Sequence, residues 1–325
     1  MAFHYLINQA IGKVMQTIDE VDLELLPILQ QNRPIVPYIT QKNLPQVRQN
    51  SNSQLANRPA YGPTKAQTVA IDTPAGLLDL YIFHGKKTTQ KQPCLVWMHG
   101  GGYIMGHGND TWFGPLFAEQ TGCTVVSVDY RLAPEHPFPA AIEDGHAALH
   151  WVTNNAAALG IDSQRIALGG ASAGAGLAAG LCLYNRDHQG PDIMFQLLLY
   201  PMLDNQHATP SGTIEDHPVW PRQTSMNAWD MYLKGQESEY ASATRATNLT
   251  NLAPAFISVG AVDLFRDECI NYAKCLATAG VDAVSKVYAG MYHSGEVGDL
   301  SPRVSQQMSD DYVAALQRAF GKNNS

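Results

Sequence analysis

A serine lies between two glycines near the middle of the chain, in the pentapeptide Gly170-Ala171-Ser172-Ala173-Gly174. The apolar run RIALGG comes before it, and a segment with helical periodicity follows. A serine on a sharp turn between a strand and a helix presents its hydroxyl to a substrate, and small residues two positions away let the two elements approach. This context indicates a nucleophile, although the pentapeptide alone leaves other interpretations open.

The same glycines allow two other interpretations. Gly174, Gly176 and Gly180 approximate a dinucleotide-binding loop, in which glycines admit a pyrophosphate, so an NADP-dependent oxidoreductase is one alternative. Such loops usually open the first βαβ unit and need an acidic residue about 20 positions further on, at the end of a second strand. That acidic residue is missing. The third interpretation is close helix packing through small residues such as Ala178 and Ala179.

A serine hydroxyl is a poor nucleophile without a neighbouring base, and the base needs a carboxylate to orient it. His293 comes just after the strand-like run VSKVYAG, in the position expected for the base. Asp263 comes just after the strand-like run AFISVG and is the predicted carboxylate, while Asp267 and Glu268 suit the first turn of the next helix. Three other histidines that follow the serine fall at a helix end or in an irregular segment: His188, His207 and His217. The predicted catalytic residues are therefore Ser172, Asp263 and His293.

Negative charge that develops on an acyl oxygen needs hydrogen-bond donors. Three glycines, Gly100, Gly101 and Gly102, follow the strand-like run CLVWM and the residue His99. Backbone N–H groups there can point at a small oxygen without obstruction by side chains, and the N–H of Ala173 can join them. A flexible loop would also be rich in glycine, so this prediction depends on the serine, aspartate and histidine.

Short apolar runs alternate with helical segments from residue 94 to the end, which predicts an α/β fold with a doubly wound, mostly parallel sheet. Residues 67–83 predict an antiparallel hairpin. An amphipathic N-terminal helix from Phe3 to Ile18 is expected, followed by a long irregular connection from Pro27 to Pro63. The strands are predicted at residues 94–99, 124–130, 165–170, 195–201, 255–260 and 284–290.

More than fifty residues separate the strand ending at Tyr200 from the strand at Ala255, far more than an ordinary connection. This length predicts an insertion that rises over the sheet and joins the N-terminal helix as a lid, the alternative being a helical excursion that only packs on the core. The predicted division is an N-terminal cap segment at 1–60, core at 61–203, a cap insertion at 204–250 and core at 251–325.

The chain has 325 residues, of which 45% are hydrophobic and 15% charged, a composition that excludes a mostly disordered chain. The formal charge of −8 gives nucleic-acid binding no electrostatic support. No run approaches 18 apolar residues, and the N-terminus lacks the features of a signal peptide, so neither a membrane span nor export is expected. Five scattered cysteines suit a cytoplasmic, disulfide-free protein.

Six segments, in order, resemble the bacterial hormone-sensitive-lipase-like (family IV) carboxylesterases of the α/β-hydrolase superfamily: HGGGYIMGH, VDYRLAPEHPFPAAIED, GASAG, LLLYPMLD, DLFRDE and GMYH. The resemblance implies a mostly parallel sheet flanked by helices, a helical cap, hydrolysis of short- to medium-chain acyl esters, and no metal or organic cofactor. It assigns catalysis to Ser172, Asp263 and His293, and the oxyanion hole to the residues Gly101, Gly102 and Ala173. It also implies that Asp129, Arg131 and Glu135 brace the oxyanion loop through buried polar contacts.

This sequence departs from the family pattern beside two catalytic residues. Ala171 stands where the family often has an acidic residue or threonine, and Ser294 where it commonly has glycine. The expected partner is a small ester, and a homodimer is left open. Amidase, lactonase or carbamate hydrolysis would use the same residues, and a non-catalytic binding module on this fold would be expected to lack one of them.

Overall fold

The computed structural model describes residues 18–31, 38–86 and 90–321. Its centre is one eight-stranded sheet in the order β1-β2-β4-β3-β5-β6-β7-β8. Strands β1 and β2 form an antiparallel hairpin, β2 runs antiparallel to β4, and all other neighbours are parallel. The strands are β1 (Gln67–Thr73), β2 (Gly76–Phe83), β3 (Gln92–Met98), β4 (Thr124–Val128), β5 (Ile161–Ala171), β6 (Phe195–Leu199), β7 (Ala255–Val262) and β8 (Ala283–Tyr292). The predicted hairpin and mostly parallel sheet are therefore confirmed.

Helices cover both faces of this sheet. Helices α3 and α8 contact each other. Helices α4 and α5 form a second contacting pair, and this pair packs against β3, β4 and β5. The α-helices are α1 (Leu26–Gln31), α2 (Leu44–Asn57), α3 (Phe113–Thr121), α4 (Ala140–Asn154), α5 (Ala173–Asp187), α6 (Arg222–Leu233), α7 (Arg266–Thr278) and α8 (Arg303–Gly321). The central strands are covered on both sides and are mostly apolar, as in β4, where every residue is buried.

The N-terminal region differs from the expected irregular connection. Residues 44–57 form the helix α2, and residues 26–31 form the short helix α1. The sequence of α2, LPQVRQNSNSQLAN, is mostly polar, so it lacks the apolar periodicity by which an amphipathic helix is recognised. The N-terminal helix predicted from Phe3 lies outside the described residues, except that Ile18 begins a short 3-10 turn.

The N-terminal region meets the insertion between β6 and β7. The backbone N–H of Ile39 donates to Thr224 Oγ1 at 3.0 Å, and Asn227 Nδ2 donates to the carbonyl oxygen of Ile39 at 2.7 Å. Both partners lie on α6, the main helix of the insertion. These contacts fit a cap built from the two segments, but the four-part division of the chain stays a prediction.

The cysteines are unpaired: Cys94, Cys123, Cys182 and Cys269 are buried, and Cys275 is exposed. Burial raises the pKa of the Cys123 thiol to about 12, so this group packs as an uncharged side chain. Among the helices of the described residues, none combines the length and the hydrophobicity that crossing a bilayer requires.

Candidate active site

Ser172 occupies the turn between β5 and α5, with φ 57° and ψ −122°. A residue other than glycine rarely adopts this backbone conformation, and such strain is concentrated at functional sites. A methyl group on Gly170 would lie 2.4 Å from the carbonyl carbon of Gly174, and one on Gly174 would lie 2.1 Å from the carbonyl oxygen of Met98. Both glycines are therefore required for the close approach of strand and helix.

The three side chains predicted to act together are brought into one hydrogen-bonded row. His293 Nε2 lies 2.9 Å from Ser172 Oγ, and His293 Nδ1 lies 2.8 Å from Asp263 Oδ2. Asp263 follows the end of β7 and His293 follows the end of β8, at the same edge of the sheet as the serine. All three are buried, with exposed fractions of 5%, 1% and 5% for Ser172, Asp263 and His293.

The imidazole is held from several sides. Because the Asp263 carboxylate is an acceptor, His293 donates its Nδ1–H to it, which leaves Nε2 with a lone pair facing the serine hydroxyl. The rings of Tyr200 and Phe265 contact the imidazole edge-on, with ring centres 4.9 and 5.2 Å away. The other Asp263 oxygen accepts the backbone N–H of Phe265 at 2.9 Å. The row therefore has a fixed tautomer and a fixed orientation.

The glycine loop lies directly against the serine turn. A methyl group on Gly100 would be 3.5 Å from Ser172 Cβ. Gly101 has φ 121° and Gly102 has φ 62°, conformations that favour glycine, and the carbonyl of Gly101 accepts the N–H groups of Ile104 and Met105. Among the hydrogen bonds between described residues, none uses the N–H of Gly101 or Gly102, so both donors are free for a ligand.

His99 supports the glycine loop through contacts of its ring and of its backbone carbonyl. Its ring stacks on Tyr130 with centres 4.1 Å apart, and the Tyr130 hydroxyl donates to the His99 carbonyl at 2.7 Å. His99 Nδ1 contacts the carbonyl of Gly100 at 2.8 Å and therefore acts as a donor. Burial lowers the pKa of His99 to about 4, so the ring is neutral near pH 7 and serves as a support rather than a base.

The bracing role inferred for three residues near Tyr130 is distributed differently in the structure. Asp129 accepts the N–H of Gly108 at 2.7 Å, within the loop, and Arg131 pairs with Asp144 on α4. Glu135, more than half exposed, accepts both terminal nitrogens of Arg48 at 2.8 Å. The contacts of these three residues are therefore only partly buried, because the Glu135 side chain is exposed to solvent.

Arg48 was not found from the sequence. Its Nε donates to the carbonyl of Ile104 at 2.7 Å and its Nη2 to the carbonyl of Ala133 at 2.7 Å, besides the two bonds to Glu135. One guanidinium from α2 therefore ties the glycine loop to the segment that follows β4. A lone arginine in a polar stretch gave no signal, because its partners are two backbone carbonyls and one carboxylate, all more than fifty residues away.

Aromatic residues of the insertion cover the loop from above. Tyr103, just after the glycines, stacks on Tyr232 with ring centres 4.0 Å apart and meets Trp229 at 5.1 Å. The Tyr103 hydroxyl donates to the carbonyl of Met202 at 3.0 Å, where the insertion begins. Trp220 is also buried and contacts the loop at Gly102. The insertion and the glycine loop are consequently one packed unit.

The three other histidines that follow Ser172 in the chain either contact the backbone or are buried in the insertion. His188 caps the C-terminal end of α5, where its Nδ1 donates to the Tyr184 carbonyl at 2.7 Å. His207 and His217 lie in the irregular insertion, as expected, and both side chains are buried. His217 Nε2 contacts the carbonyl of Ser211 at 3.2 Å.

Asp267 and Glu268 occupy the first turn of α7, as expected. Asp267 accepts the backbone N–H of Ser211 at 2.8 Å, and Glu268 accepts that of Leu203 at 2.7 Å. Both carboxylates therefore anchor the start of the insertion, and of these three acidic residues it is Asp263 that hydrogen-bonds to the imidazole of His293.

The glycines that resembled a dinucleotide loop have another use. A methyl group on Gly176 would lie 2.0 Å from the carbonyl oxygen of Met202, and one on Gly180 would lie 1.8 Å from that of Tyr240. Protein backbone fills the space that a pyrophosphate would need. The close-packing interpretation holds for these two positions, while Gly170 and Gly174 serve the serine turn.

The two departures from the family pattern fit their surroundings. Ser294 has φ 59°, the left-handed conformation that explains why glycine is common there. Its side chain hydrogen-bonds to the hydroxyl of Tyr200, whose ring contacts His293. Ala171 is buried at the end of β5.

Comparison with known proteins gives the same fold. The family model of the alpha/beta hydrolase fold matches residues 95–296, more than half of the chain. Carboxylesterase NlhH of Mycobacterium tuberculosis is 39% identical over 239 residues, which cover 70% of this chain and 74% of that protein. Esterase LipI of the same organism is 38% identical over 237 residues, covering 70% and 73%.

A solved structure, that of esterase LipW from Mycobacterium marinum, superposes with a TM-score of 0.87 at 31% identity and covers 94% of this chain and 98% of that chain. The fold and family expected from the six motifs are therefore confirmed. The chain belongs to the alpha/beta hydrolases, in their hormone-sensitive-lipase-like branch.

Proposed function

We propose that this chain is a serine carboxylesterase in which Ser172 forms an acyl-enzyme intermediate. The enzyme class predicted from the sequence, carboxylic ester hydrolase, is confirmed by the family and by relatives named esterase and carboxylesterase. The observation that carries the assignment of residues is the row from Ser172 Oγ to His293 Nε2 to Asp263, with contacts of 2.9 and 2.8 Å.

In the first half of the reaction, His293 Nε2 takes the proton of Ser172 as the oxygen attacks the ester carbonyl carbon. The carbonyl oxygen becomes negatively charged and accepts the N–H groups of Gly101, Gly102 and Ala173, where each donor stabilises the transition state by roughly 3–4 kcal/mol. Collapse of the tetrahedral intermediate transfers the proton from His293 to the leaving alcohol, which departs.

In the second half, His293 removes a proton from water as the water oxygen attacks the acyl carbon. The bond from that carbon to Ser172 Oγ then breaks, His293 returns the proton to Oγ, and the carboxylic acid leaves. Asp263 stays ionised and stabilises the imidazolium that forms in each half. Its low exposure, 1%, keeps solvent from weakening this interaction. In both halves of the proposed reaction, side chains of this protein transfer the protons and its backbone N–H groups stabilise the developing charge.

The substrate class follows from the surroundings of the serine. Trp220, Trp229 and Tyr232 of the insertion are buried close to the glycine loop, so an apolar acyl or alcohol group is the group that this side of the site accommodates. We infer that the packed insertion restricts the length of that group, which supports short- to medium-chain acyl esters as substrates. In this proposal, the insertion and the N-terminal segment act together as the cap.

The direct test is kinetic. The wild-type protein and Ser172→Ala are assayed on p-nitrophenyl esters of graded acyl length, with the matching p-nitroanilides as an amidase control. Loss of the nucleophile should lower kcat on the order of 10⁶-fold, and Asp263→Asn should lower it about 10⁴-fold. A fluorophosphonate probe should label wild type on Ser172 only, as mapped by mass spectrometry. Near-full activity of Ser172→Ala, or labelling elsewhere, would refute the assignment.

A further inference from the structure

Two histidines lie one helical turn apart on α4, outside the candidate active site. His146 Nε2 and His150 Nε2 are 3.1 Å apart, and both side chains are only half-buried. Residues four positions apart on a helix share one face, so this pair is fixed by the helix itself. Two imidazole nitrogens bound to one zinc ion at ordinary bond lengths are separated by about 2.9–3.4 Å.

The two rings meet at a steep angle. Their ring centres are 4.4 Å apart and their planes are inclined by 80°. A hydrogen bond with the N–H of one ring aligned to the lone pair of the other would separate the centres by roughly 5.4 Å. The two nitrogens are therefore close together without being collinear, and a small shift of either ring would let both face one ion.

The helix that packs on α4 contributes further polar groups. Asn185, near the end of α5, is 5% exposed, and its Oδ1 has no hydrogen-bond partner among the described residues. A methyl group on Gly190 would lie 1.9 Å from Asn185 Oδ1 and 3.2 Å from His146 Nε2, so both atoms border one small region. An unpartnered buried amide oxygen is costly, and a cation would satisfy it.

A third imidazole stands at the rim of this region. The ring centre of His188 is 6.4 Å from that of His146. Its Nδ1 donates to the carbonyl of Tyr184, so its Nε2 carries a lone pair. Rotation of the His188 side chain toward the other two histidines would break this bond to Tyr184.

We propose that His146 and His150 bind one divalent transition-metal ion through their Nε2 atoms, with Asn185 Oδ1 and water completing its coordination. Among the described residues, no three His, Cys, Asp or Glu side chains already converge on one point, so His188 joins only after a side-chain rotation. Imidazole ligands select Zn²⁺, Ni²⁺ or Cu²⁺ over Mg²⁺ and Ca²⁺, which prefer oxygen.

The site is separate from the serine. Helix α5 has 15 residues and begins directly after Ser172, so its far end, beside the histidines, is about 22 Å from the nucleophile. A bound ion would bridge α4 to the end of α5 and stabilise their packing. The proposal does not depend on the proposed esterase mechanism, because its readouts are binding and thermal stability.

The test is calorimetric titration of the full chain with ZnCl₂ after treatment with EDTA, and with MgCl₂ for comparison. We expect one Zn²⁺ per chain, at least tenfold weaker binding in His146→Ala and in His150→Gln, and no comparable Mg²⁺ binding. His84→Ala, at an exposed histidine elsewhere, should bind as the wild type does.

The thermal midpoint should rise with Zn²⁺ in wild type and in His84→Ala but not in the two site variants. The thermal midpoints measured in EDTA show whether each variant is folded. If His146→Ala is not folded, His150→Gln, which nearly preserves the side-chain size, still tests the site. Equal Zn²⁺ affinity in wild type and in the folded site variants would overturn the proposal, as would the absence of a Zn²⁺-binding event in wild type.

Discussion

The indole of Trp220 lies on the α-carbon of Gly102. A methyl group added to Gly102 would be 2.4 Å from Cη2 and 2.5 Å from Cζ2 of that indole. Trp220 comes from the insertion between β6 and β7, whereas Gly102 belongs to the loop after β3. The insertion therefore touches the backbone that is proposed to hold the acyl oxygen, and substitutions on either side of this contact test that proposal.

Gly102→Ala tests the loop side of this contact. The alanine methyl group would collide with Trp220 and would have to adopt φ 62°, so we expect the loop to shift and kcat to fall on the order of 10²–10³-fold, as when one oxyanion donor is lost. The measurement is kcat on p-nitrophenyl acetate. Gly235→Ala is the matched control, since Gly235 has φ 80° and open space around it. Equal activity of Gly102→Ala and the control would contradict the role of this loop.

Trp220→Ala tests the other side. Removal of the indole opens space beside Gly102, so we expect the ratio of kcat/KM for p-nitrophenyl decanoate to that for the acetate to rise about tenfold or more, as an enlarged apolar pocket accepts extra methylenes. Trp151→Ala, a half-buried tryptophan on α4, should leave this ratio unchanged. An unaltered chain-length profile in Trp220→Ala would show that the indole does not border the acyl group.

The sheet and the row of three side chains were predictable because their signals are local. Apolar runs mark buried strands, and Ser172, Asp263 and His293 each come directly after such a run. The carboxyl ends of neighbouring parallel strands meet at one edge, so the order of the runs already implied proximity. The assignment of roles to these residues stays a prediction that the kinetic test decides.

The contacts of Arg48 and the burial of His207 were not predictable in the same way. The partners of Arg48 are two carbonyls and the Glu135 carboxylate, which share no sequence pattern with it. Helix α2 lacks an apolar stripe because most of its residues are polar. His207 lies in a polar irregular stretch, where exposure is the ordinary expectation, but tertiary packing covers it. Long-range packing, rather than periodicity, decides such positions.

Arg48→Lys should weaken the brace of the glycine loop. Lysine keeps the charge but loses the planar fork that reaches Ile104, Ala133 and Glu135 together, so we expect the free energy of unfolding to fall by about 1–3 kcal/mol and kcat to fall severalfold. Urea denaturation and steady-state kinetics measure the two effects.

Arg303→Lys is the control for this substitution. Arg303 pairs with Glu24 through a side chain that is 91% exposed, and exposed ion pairs contribute little. We therefore expect less than about 0.5 kcal/mol of change there. If both variants lose the same small amount, Arg48 does not brace the loop.

His207 makes stability depend on pH. It is 1% exposed, its ring nitrogens have no hydrogen-bond partner among the described residues, and burial lowers the pKa of its imidazole from 6.5 to about 4. Between these two values the unfolded chain binds a proton that the folded protein does not. The free energy of unfolding must therefore decrease as the pH falls through this window, and the contribution of His207 is fully present only above it.

Replacement by asparagine removes the titration and suits the backbone, since His207 has φ 50° and asparagine tolerates the left-handed region. Between pH 7 and pH 5, the free energy of unfolding of wild type should fall by about 2 kcal/mol more than that of His207→Asn. Urea denaturation at both pH values gives this difference, with His84→Asn, at an exposed site, as the control. The buried carboxyl groups of Glu268 and Glu296, whose pKa is raised by burial, act in the opposite direction but equally in every variant. Parallel pH profiles for wild type and His207→Asn would mean that the folded protein protonates this ring as easily as the unfolded chain does.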